Sequence, residues 1–134
     1  MQTSTTATVT ADLVDDLNHM NHALGLRLLE YARDEWYRQA GLWEGRPWSS
    51  NEHFATIVLN INMNYRQECF LDETLTVVTQ PQKRGSKSYT LAQQLIKADG
   101  EVAIDGTCTS LIMDMRSHET MAVPEVLARH FPTD

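Results

Sequence analysis

The fold is decided by a junction in the sequence, where DDLNHMNH (residues 15–22) runs directly into ALGLRLLEYARDEWYRQA (residues 23–40). From Leu24 to Trp36 apolar residues recur every three or four positions, which is the period of an α-helix. The apolar stripe is broad, so we expect a helix that other elements enclose. Gly41 follows it, at the position where a left-handed helix end favours glycine.

The rest of the sequence predicts short strands. Thr and Val at strand-like spacing indicate a first strand at residues 7–14, before the helix. A loop with Gly and Pro is expected at residues 43–51, and four alternating runs follow it: 53–65, 74–79, 88–96 and 102–113. Tight turns are predicted at residues 82–87 and 98–100, and a short helix at residues 124–130 with proline in its first position.

The run at residues 53–65 alternates most clearly. One face is expected to carry Ile57, Leu59, Ile61, Met63 and Tyr65, and the other Asn60, Asn62 and Asn64. The asparagine face is too polar for a dry core and should meet solvent or a wet interface. A strand, a long helix and about four strands predict the α+β class, with an antiparallel sheet curled around the helix. A length of 134 residues fits one domain.

Composition limits the function. A formal charge of −7 argues against nucleic acid, because binding to phosphates needs a basic face. No apolar run is long enough to cross a bilayer and the first residues lack a basic, apolar leader, so we expect a soluble, cytoplasmic protein that binds no membrane. Cys69 and Cys108 have no metal-ligand spacing and are expected to be packed thiols rather than a disulfide.

The motifs resemble those of one family. Residues 15–36 are similar to Asp-x-x-Gly-His-Val-Asn-Asn-x-x-Tyr-Leu-x-x-x-Glu-x-Ala-Arg, the signature of the hotdog-fold thioesterases of the 4-hydroxybenzoyl-CoA thioesterase and YbgC-like branch. The similarity continues, in the same order, at residues 64–66, 71–75, 84–88, 113–114 and 123–125. This resemblance implies a single hotdog domain over residues 1–134, and an assembly in which two sheets join edge to edge as a homodimer that often pairs again as a homotetramer.

The chain departs from the signature at three positions. Asn18 stands in place of a glycine, Gly25 in place of a tyrosine, and Glu68 in place of a strand proline. A glycine in the first helical turns costs roughly 1 kcal/mol relative to alanine, so its missing side chain should make room for something. That space is expected to hold either an acyl chain or a neighbouring side chain.

Two residues at the junction are candidate catalytic groups. A helix start offers free N–H groups and partial positive charge, and Asp15 lies a few residues before it, where its carboxylate can attack a carbonyl carbon or deprotonate water. The alternatives are an ordinary turn aspartate, and the same role for Asp16. The resemblance assigns catalysis to Asp15, polarisation of the thioester carbonyl to the backbone N–H of His22, and a turn-shaping role to His19.

Other residues are candidates for substrate binding. Asn21 is a suitable helix cap at the edge of the site. Glu30 matches an acidic position that faces the acyl pocket in related enzymes, although a residue of this kind is more often a helix residue paired with an arginine three places away, here Arg27 or Arg33.

A basic hairpin is the candidate site for coenzyme A phosphates. Lys83, Arg84 and Lys87 cluster there, and a solvated turn is the alternative. No metal or cofactor is expected.

Two functions remain open. The first is an acyl-CoA thioesterase that hydrolyses the thioester to a free acid and coenzyme A, with its site at a subunit interface, as the resemblance implies. The second is a non-hydrolytic hotdog module that binds acyl-CoA or acyl-carrier thioesters, or that serves only as an assembly partner.

Overall fold

Six strands form one antiparallel sheet against one long helix in the computed structural model, which describes residues 1–42 and 54–132. The elements in chain order are β1 (Thr3–Thr8), α1 (His22–Ala40), β2 (Phe54–Tyr65), β3 (Thr74–Arg84), β4 (Ser88–Ile96), β5 (Val102–Asp114), β6 (Thr120–Met121) and α2 (Glu125–Ala128). The strand order is β1-β3-β4-β5-β2, and β6 pairs with β5. This architecture confirms the predicted α+β class.

Helix α1 has the ends that the sequence predicts. The side chain of Asn21 caps its start, where Oδ1 accepts hydrogen bonds from the N–H groups of Ala23 at 2.9 Å and Leu24 at 3.2 Å. Gly41 ends it in the left-handed conformation, with φ of 88°, and its N–H donates to the carbonyl of Arg38. The helix starts one residue earlier than predicted, at His22.

The buried face of α1 divides the core into two clusters. Its first half packs Leu29 against Leu75, Leu95 and Ile104 of the sheet. Its second half packs Trp36 against an aromatic and aliphatic group that includes Tyr89, Ile112, Leu127 and Phe131. Each fully buried side chain of this size contributes roughly 1.5–3 kcal/mol through the hydrophobic effect. The first cluster lies beneath the helix start and therefore supports the candidate site.

Strand β2 does not keep the predicted alternation, because it contains a bulge. Val58 pairs with Ser110 and Asn60 with Thr109, so Leu59 is left without a partner position. The extra residue moves the side chains before it to the opposite face. Ile57 consequently lies opposite Leu111, on the face away from the helix, whereas Ile61 lies opposite the buried Cys108. The prediction of one apolar face is wrong for Ile57. The three asparagines are exposed, as predicted.

Other boundaries also differ from prediction. The first strand is Thr3–Thr8, and Ala11–Leu13 is a 3-10 turn, because the Thr-rich run that favours a strand begins before residue 7. Strand β3 continues to Arg84, since a register shift between Pro81 and Lys83 accommodates the proline. Helix α2 is shorter than predicted, with Pro124 as its N-cap. The predicted loop at residues 43–51 lies outside the described residues. Cys69 and Cys108 are free and buried, which confirms two packed thiols.

Candidate active site

A tight turn before α1 fixes the carboxylate of Asp15. Its Oδ1 accepts hydrogen bonds from the N–H groups of Leu17 at 2.9 Å and His19 at 3.2 Å, and its own N–H donates to the carbonyl of His19. Asn18, in the middle of the turn, has a φ of 62°. Asparagine is one of the few non-glycine residues that adopt this left-handed conformation readily, so it replaces the glycine of the family signature without breaking the turn. Within the described residues Oδ2 of Asp15 accepts no hydrogen bond.

The start of α1 presents a free backbone donor. Asn21 satisfies the N–H groups of Ala23 and Leu24 through its side chain, and its carbonyl accepts from Gly25 at 2.8 Å. In the described part of the chain nothing accepts a hydrogen bond from the N–H of His22. This group therefore carries the exposed positive end of the helix dipole.

Strand β2 holds the helix start from the other side. The hydroxyl of Tyr65 donates to the carbonyl of His22 at 2.9 Å, and the two rings meet edge to face with centroids 6.0 Å apart. Partial burial raises the pKa of Tyr65, so its hydroxyl stays protonated and remains a donor at neutral pH. The sequence predicts Tyr65 as part of a strand and of the motif at residues 64–66, without a role at the site. Its position beside His22 depends on the long-range pairing of β2 and was not visible in the sequence.

These groups line one open cleft of about 370 Å³. Its walls are formed by Asp15, His19, Met20, Asn21, His22, Tyr65, Arg66, Gln67, Glu68, Cys69 and Ile104. The structure thus brings Asp15, Asn21 and His22 to the same cleft. A carboxylate with a free oxygen and a helix-end N–H beside one cavity can activate water and polarise a carbonyl group.

His19 contacts Glu68 at the cleft. Its Nδ1 lies 3.2 Å from Oε1 of Glu68, and its ring packs edge to face on Phe70 at 4.7 Å. Both contacts orient the imidazole. The sequence does not predict Glu68 as a cleft residue. Its presence in place of the family's strand proline is the feature of the sequence that could have indicated it.

Arg66 supplies the positive charge that lines the cleft. Its Nε donates to Oδ2 of Asp105 at 2.8 Å, and this bond, together with one from Asn64, holds the pKa of Asp105 below its usual range. The Arg66 side chain is half exposed, which leaves guanidinium donors for a ligand. The sequence predicts Arg66 only as part of the motif at residues 64–66.

The Cys69 thiol lies on the cleft wall but is not poised as a nucleophile. The residue is 2% exposed, and burial and the nearby Glu73 raise its pKa to about 11. At pH 8 only about one thiol in a thousand would therefore be the reactive thiolate.

We expect iodoacetamide at pH 8 to leave Cys69 unmodified in the folded protein and to modify it fully in denaturant, with peptide mass spectrometry as the measurement. Rapid alkylation in the folded state, slowed by an acyl-CoA, would instead indicate a cysteine nucleophile.

The other predicted binding residues lie outside this cleft in one chain. Glu30 is exposed on α1, forms no ion pair with Arg27 or Arg33 among the described residues, and does not line the cleft. The pKa of Asp34 is raised mainly by burial of its carboxylate and next by the nearby negative charge of Glu30. The alternative, in which Glu30 pairs with Arg27 or Arg33, is therefore wrong, and substrate binding by Glu30 stays a prediction.

The basic hairpin is at the opposite end of the sheet. Ser88, at the hairpin, pairs with Leu111, whereas Tyr65, at the cleft, pairs with Ile104. Seven residues of strand separate these positions, or about 23 Å. Lys83, Arg84 and Lys87 are exposed there and cannot contact a group bound close to Asp15 in the same chain.

The space beside Gly25 is filled by a neighbouring side chain. A Cβ at this position would lie 2.9 Å from Cε and 3.2 Å from Sδ of Met20. Of the two expected occupants, the side chain is therefore the one present. Among the described residues no group of three His, Cys, Asp or Glu side chains could hold a metal ion, and none of the described helices could cross a membrane.

Comparison with known proteins assigns the family. Residues 9–131 match the model of the family described as the thioesterase-like superfamily. The chain belongs to the thioesterase-like superfamily. This assignment confirms the predicted hotdog fold family and its enzyme class, the thioester hydrolases.

Several known proteins are similar over most of their length. The long-chain acyl-CoA thioesterase FadM of Escherichia coli K12 is 30% identical over 111 residues, which are 82% of each chain. The probable thioesterase YbaW of Escherichia coli has a TM-score of 0.76 at 28% identity, covering 95% of this chain and 94% of its own. SAV2348 of Staphylococcus aureus, solved in complex with CoA, has a TM-score of 0.86 at 21% identity, covering 100% of this chain and 88% of its own, and shares the fold.

Proposed function

We propose that this protein is an acyl-CoA thioesterase that hydrolyses its substrate at the cleft between Asp15 and His22. The observation that carries the proposal is the meeting of a half-free carboxylate and an unbonded helix-end N–H at one cavity of a thioesterase-like protein. The similarity to FadM, a long-chain acyl-CoA thioesterase, supports coenzyme A thioesters as the substrate class.

The reaction uses the two groups in different roles. The thioester carbonyl oxygen accepts a hydrogen bond from the N–H of His22, which stabilises the negative charge that develops on that oxygen. Oδ2 of Asp15 either deprotonates a water molecule, which attacks the carbonyl carbon, or attacks that carbon itself to form an anhydride that water then cleaves. In both routes the C–S bond breaks and water supplies the new oxygen of the acid. A proton from that water molecule neutralises the departing thiolate.

Release of free thiol tests the proposal directly. The purified protein is incubated with saturated acyl-CoAs of 4 to about 18 carbons and with benzoyl-CoA, and thiol is measured with a chromogenic disulfide reagent. We expect hydrolysis of at least one chain-length class. If the protein binds these compounds in calorimetry but releases no thiol from any of them, it is the non-hydrolytic binding module.

We also propose that two copies join along β2. This edge strand has 12 residues and no charged side chain, and Val58, Leu59 and Ile61 are 48%, 57% and 41% exposed. Soluble proteins normally protect an edge with charges or proline, because its unpaired N–H and C=O groups bind other strands. Pairing with the same edge of a second copy satisfies those groups and covers the three apolar side chains.

Such a dimer also gives the basic hairpin a role. A two-fold axis makes the joined β2 strands antiparallel, so the Phe54 end of one copy lies beside the Tyr65 end of the other. In each chain Phe54 pairs with Asp114, at the end of the sheet where the hairpin lies. The hairpin of one copy is thereby brought to the cleft end of the other. There Lys83, Arg84 and Lys87 are suited to bind coenzyme A phosphates.

Leu59→Lys is expected to disrupt this dimer, because it places a charge in the buried centre of the joint. Size-exclusion chromatography with light scattering should give at least twice the 15.2 kDa chain mass for the wild type and a smaller mass for the variant. Thr6→Lys, which adds the same charge to the exposed side of the opposite edge strand β1, is the matched control and should keep the wild-type mass. Dissociation by Thr6→Lys, or a monomeric wild type, would contradict β2 as the joint.

A further inference from the structure

Met20 belongs both to the cleft and to the core behind it. Its side chain lines the cleft and packs against the first core cluster. Its backbone is fixed, because its N–H donates to the carbonyl of Cys69 at 2.7 Å and it forms a bridge with Val14. The side chain alone is therefore free to change position. Methionine is unbranched and adapts its shape at small cost, which suits a residue between a ligand and a core.

Gly25 determines where the Met20 thioether lies. A Cβ at residue 25 would lie 2.9, 3.2 and 3.4 Å from Cε, Sδ and Cγ of Met20. The first two distances are shorter than ordinary van der Waals contact, so the end of the Met20 side chain lies in space that any other residue at position 25 would occupy. The glycine thus lets the thioether fold towards the helix rather than into the cleft.

We propose that the Met20–Gly25 contact sets the length of acyl chain that the cleft accepts. The inference rests on the proposed function and specifies its substrate. An acyl chain is apolar and needs apolar walls, and the aliphatic and sulfur-containing side chains of the cleft are Met20, Cys69 and Ile104. Cys69 and Ile104 are held in the core at 2% and 1% exposure. Met20 is the adjustable wall of the three.

Two opposite changes test this role. Met20→Ala removes the wall and extends the cleft towards Gly25, so the preferred acyl chain becomes longer. Each additional methylene that is buried should raise kcat/KM about fourfold for the longer substrates, since its transfer from water contributes about 0.8 kcal/mol. Gly25→Ala displaces the thioether towards the cleft, so the preferred chain becomes shorter. The double variant should resemble Met20→Ala, because the displaced group is no longer present.

The experiment measures kcat/KM across the acyl-CoA series for the wild type and the three variants. Tyr31→Ala, on the exposed side of the same helix and away from the cleft, is the control and should keep the wild-type profile. Gly25→Ala introduces a better helix former, which keeps the test available if Met20→Ala folds poorly. Unchanged chain-length profiles in both single variants would overturn the inference.

Binding separates this inference from the proposed function. The affinity of each acyl-CoA is measured by calorimetry in an Asp15→Asn background, where no turnover interferes. A shift of the preferred chain length in binding without hydrolysis by the wild type would support the Met20 role and refute the thioesterase. Hydrolysis by the wild type with identical chain-length preferences in all variants would do the reverse.

Discussion

Replacing Asp15 by asparagine is expected to lower kcat for acyl-CoA hydrolysis by about 10²- to 10⁴-fold, the contribution typical of a positioned acid–base group. The free oxygen Oδ2 becomes an amide NH₂, which can neither take a proton from water nor attack a carbonyl carbon. The other oxygen is chemically conserved. The asparagine Oδ1 still accepts from the N–H groups of Leu17 and His19, so the turn should keep its shape.

The neighbouring carboxylate provides the control for this experiment. Asp16 is the next residue in the chain, and its side chain does not line the cleft. Asp16→Asn therefore removes the same charge outside the cleft. Thiol release under saturating substrate should therefore stay close to that of the wild type. Circular dichroism and the melting temperature check that both variants are folded. If Asp15→Asn keeps more than a third of the wild-type kcat, or if Asp16→Asn loses as much as Asp15→Asn, the assigned role of Asp15 is wrong.

Gly106→Ala is expected to be the most damaging small substitution for stability. Gly106 lies in β5 between Met63 of β2 and Gln93 of β4. A Cβ there would lie 1.9 Å from the carbonyl oxygen of Asn62 and 2.8 Å from the Cα of Met63. These are backbone atoms, so no side chain can rotate away, and the two strands would have to separate. We expect a loss of about 3 kcal/mol or more, with a fall in melting temperature of about 10 °C.

Gly100→Ala is the control, because it adds the same methyl group without a steric clash. Gly100 has a φ of 90°, and no atom of the described residues lies within 4 Å of the position that a Cβ would take. Alanine at this turn should cost about 1 kcal/mol, from the left-handed backbone alone. Differential scanning calorimetry of both variants measures the difference. Equal melting temperatures for the two alanine variants would show that the backbone of β2 leaves room for a side chain at residue 106.

The long helix and its ends could be predicted because each depends on neighbours in sequence. The apolar period from Leu24 to Trp36 fixes the buried face, and Asn21 and Gly41 act within one turn of where they stand. The same holds for the turn at Asp15, whose bonds join residues at most four positions apart. Local chemistry is readable from sequence because few alternatives compete with it.

The remaining features depend on contacts between distant residues. The bulge at Leu59 leaves no mark in a run that alternates cleanly, because register is set by the partner strand β5. The pairing of His19 with Glu68 and the contact of Tyr65 with the helix join residues more than 40 positions apart. The distance between the basic hairpin and the cleft likewise follows from strand pairing. These placements can be predicted only when the pairing of all the strands is known.

Tyr65 connects the proposed dimer joint to the proposed active site. Its strand, β2, is the uncharged edge proposed to receive a second copy, and its hydroxyl donates a hydrogen bond to the carbonyl of His22, the first residue of α1. A displacement of β2 at the proposed joint would move Tyr65 and, through this hydrogen bond, the start of α1. The residue whose N–H is proposed to polarise the substrate is therefore held by the same strand that forms the proposed dimer joint.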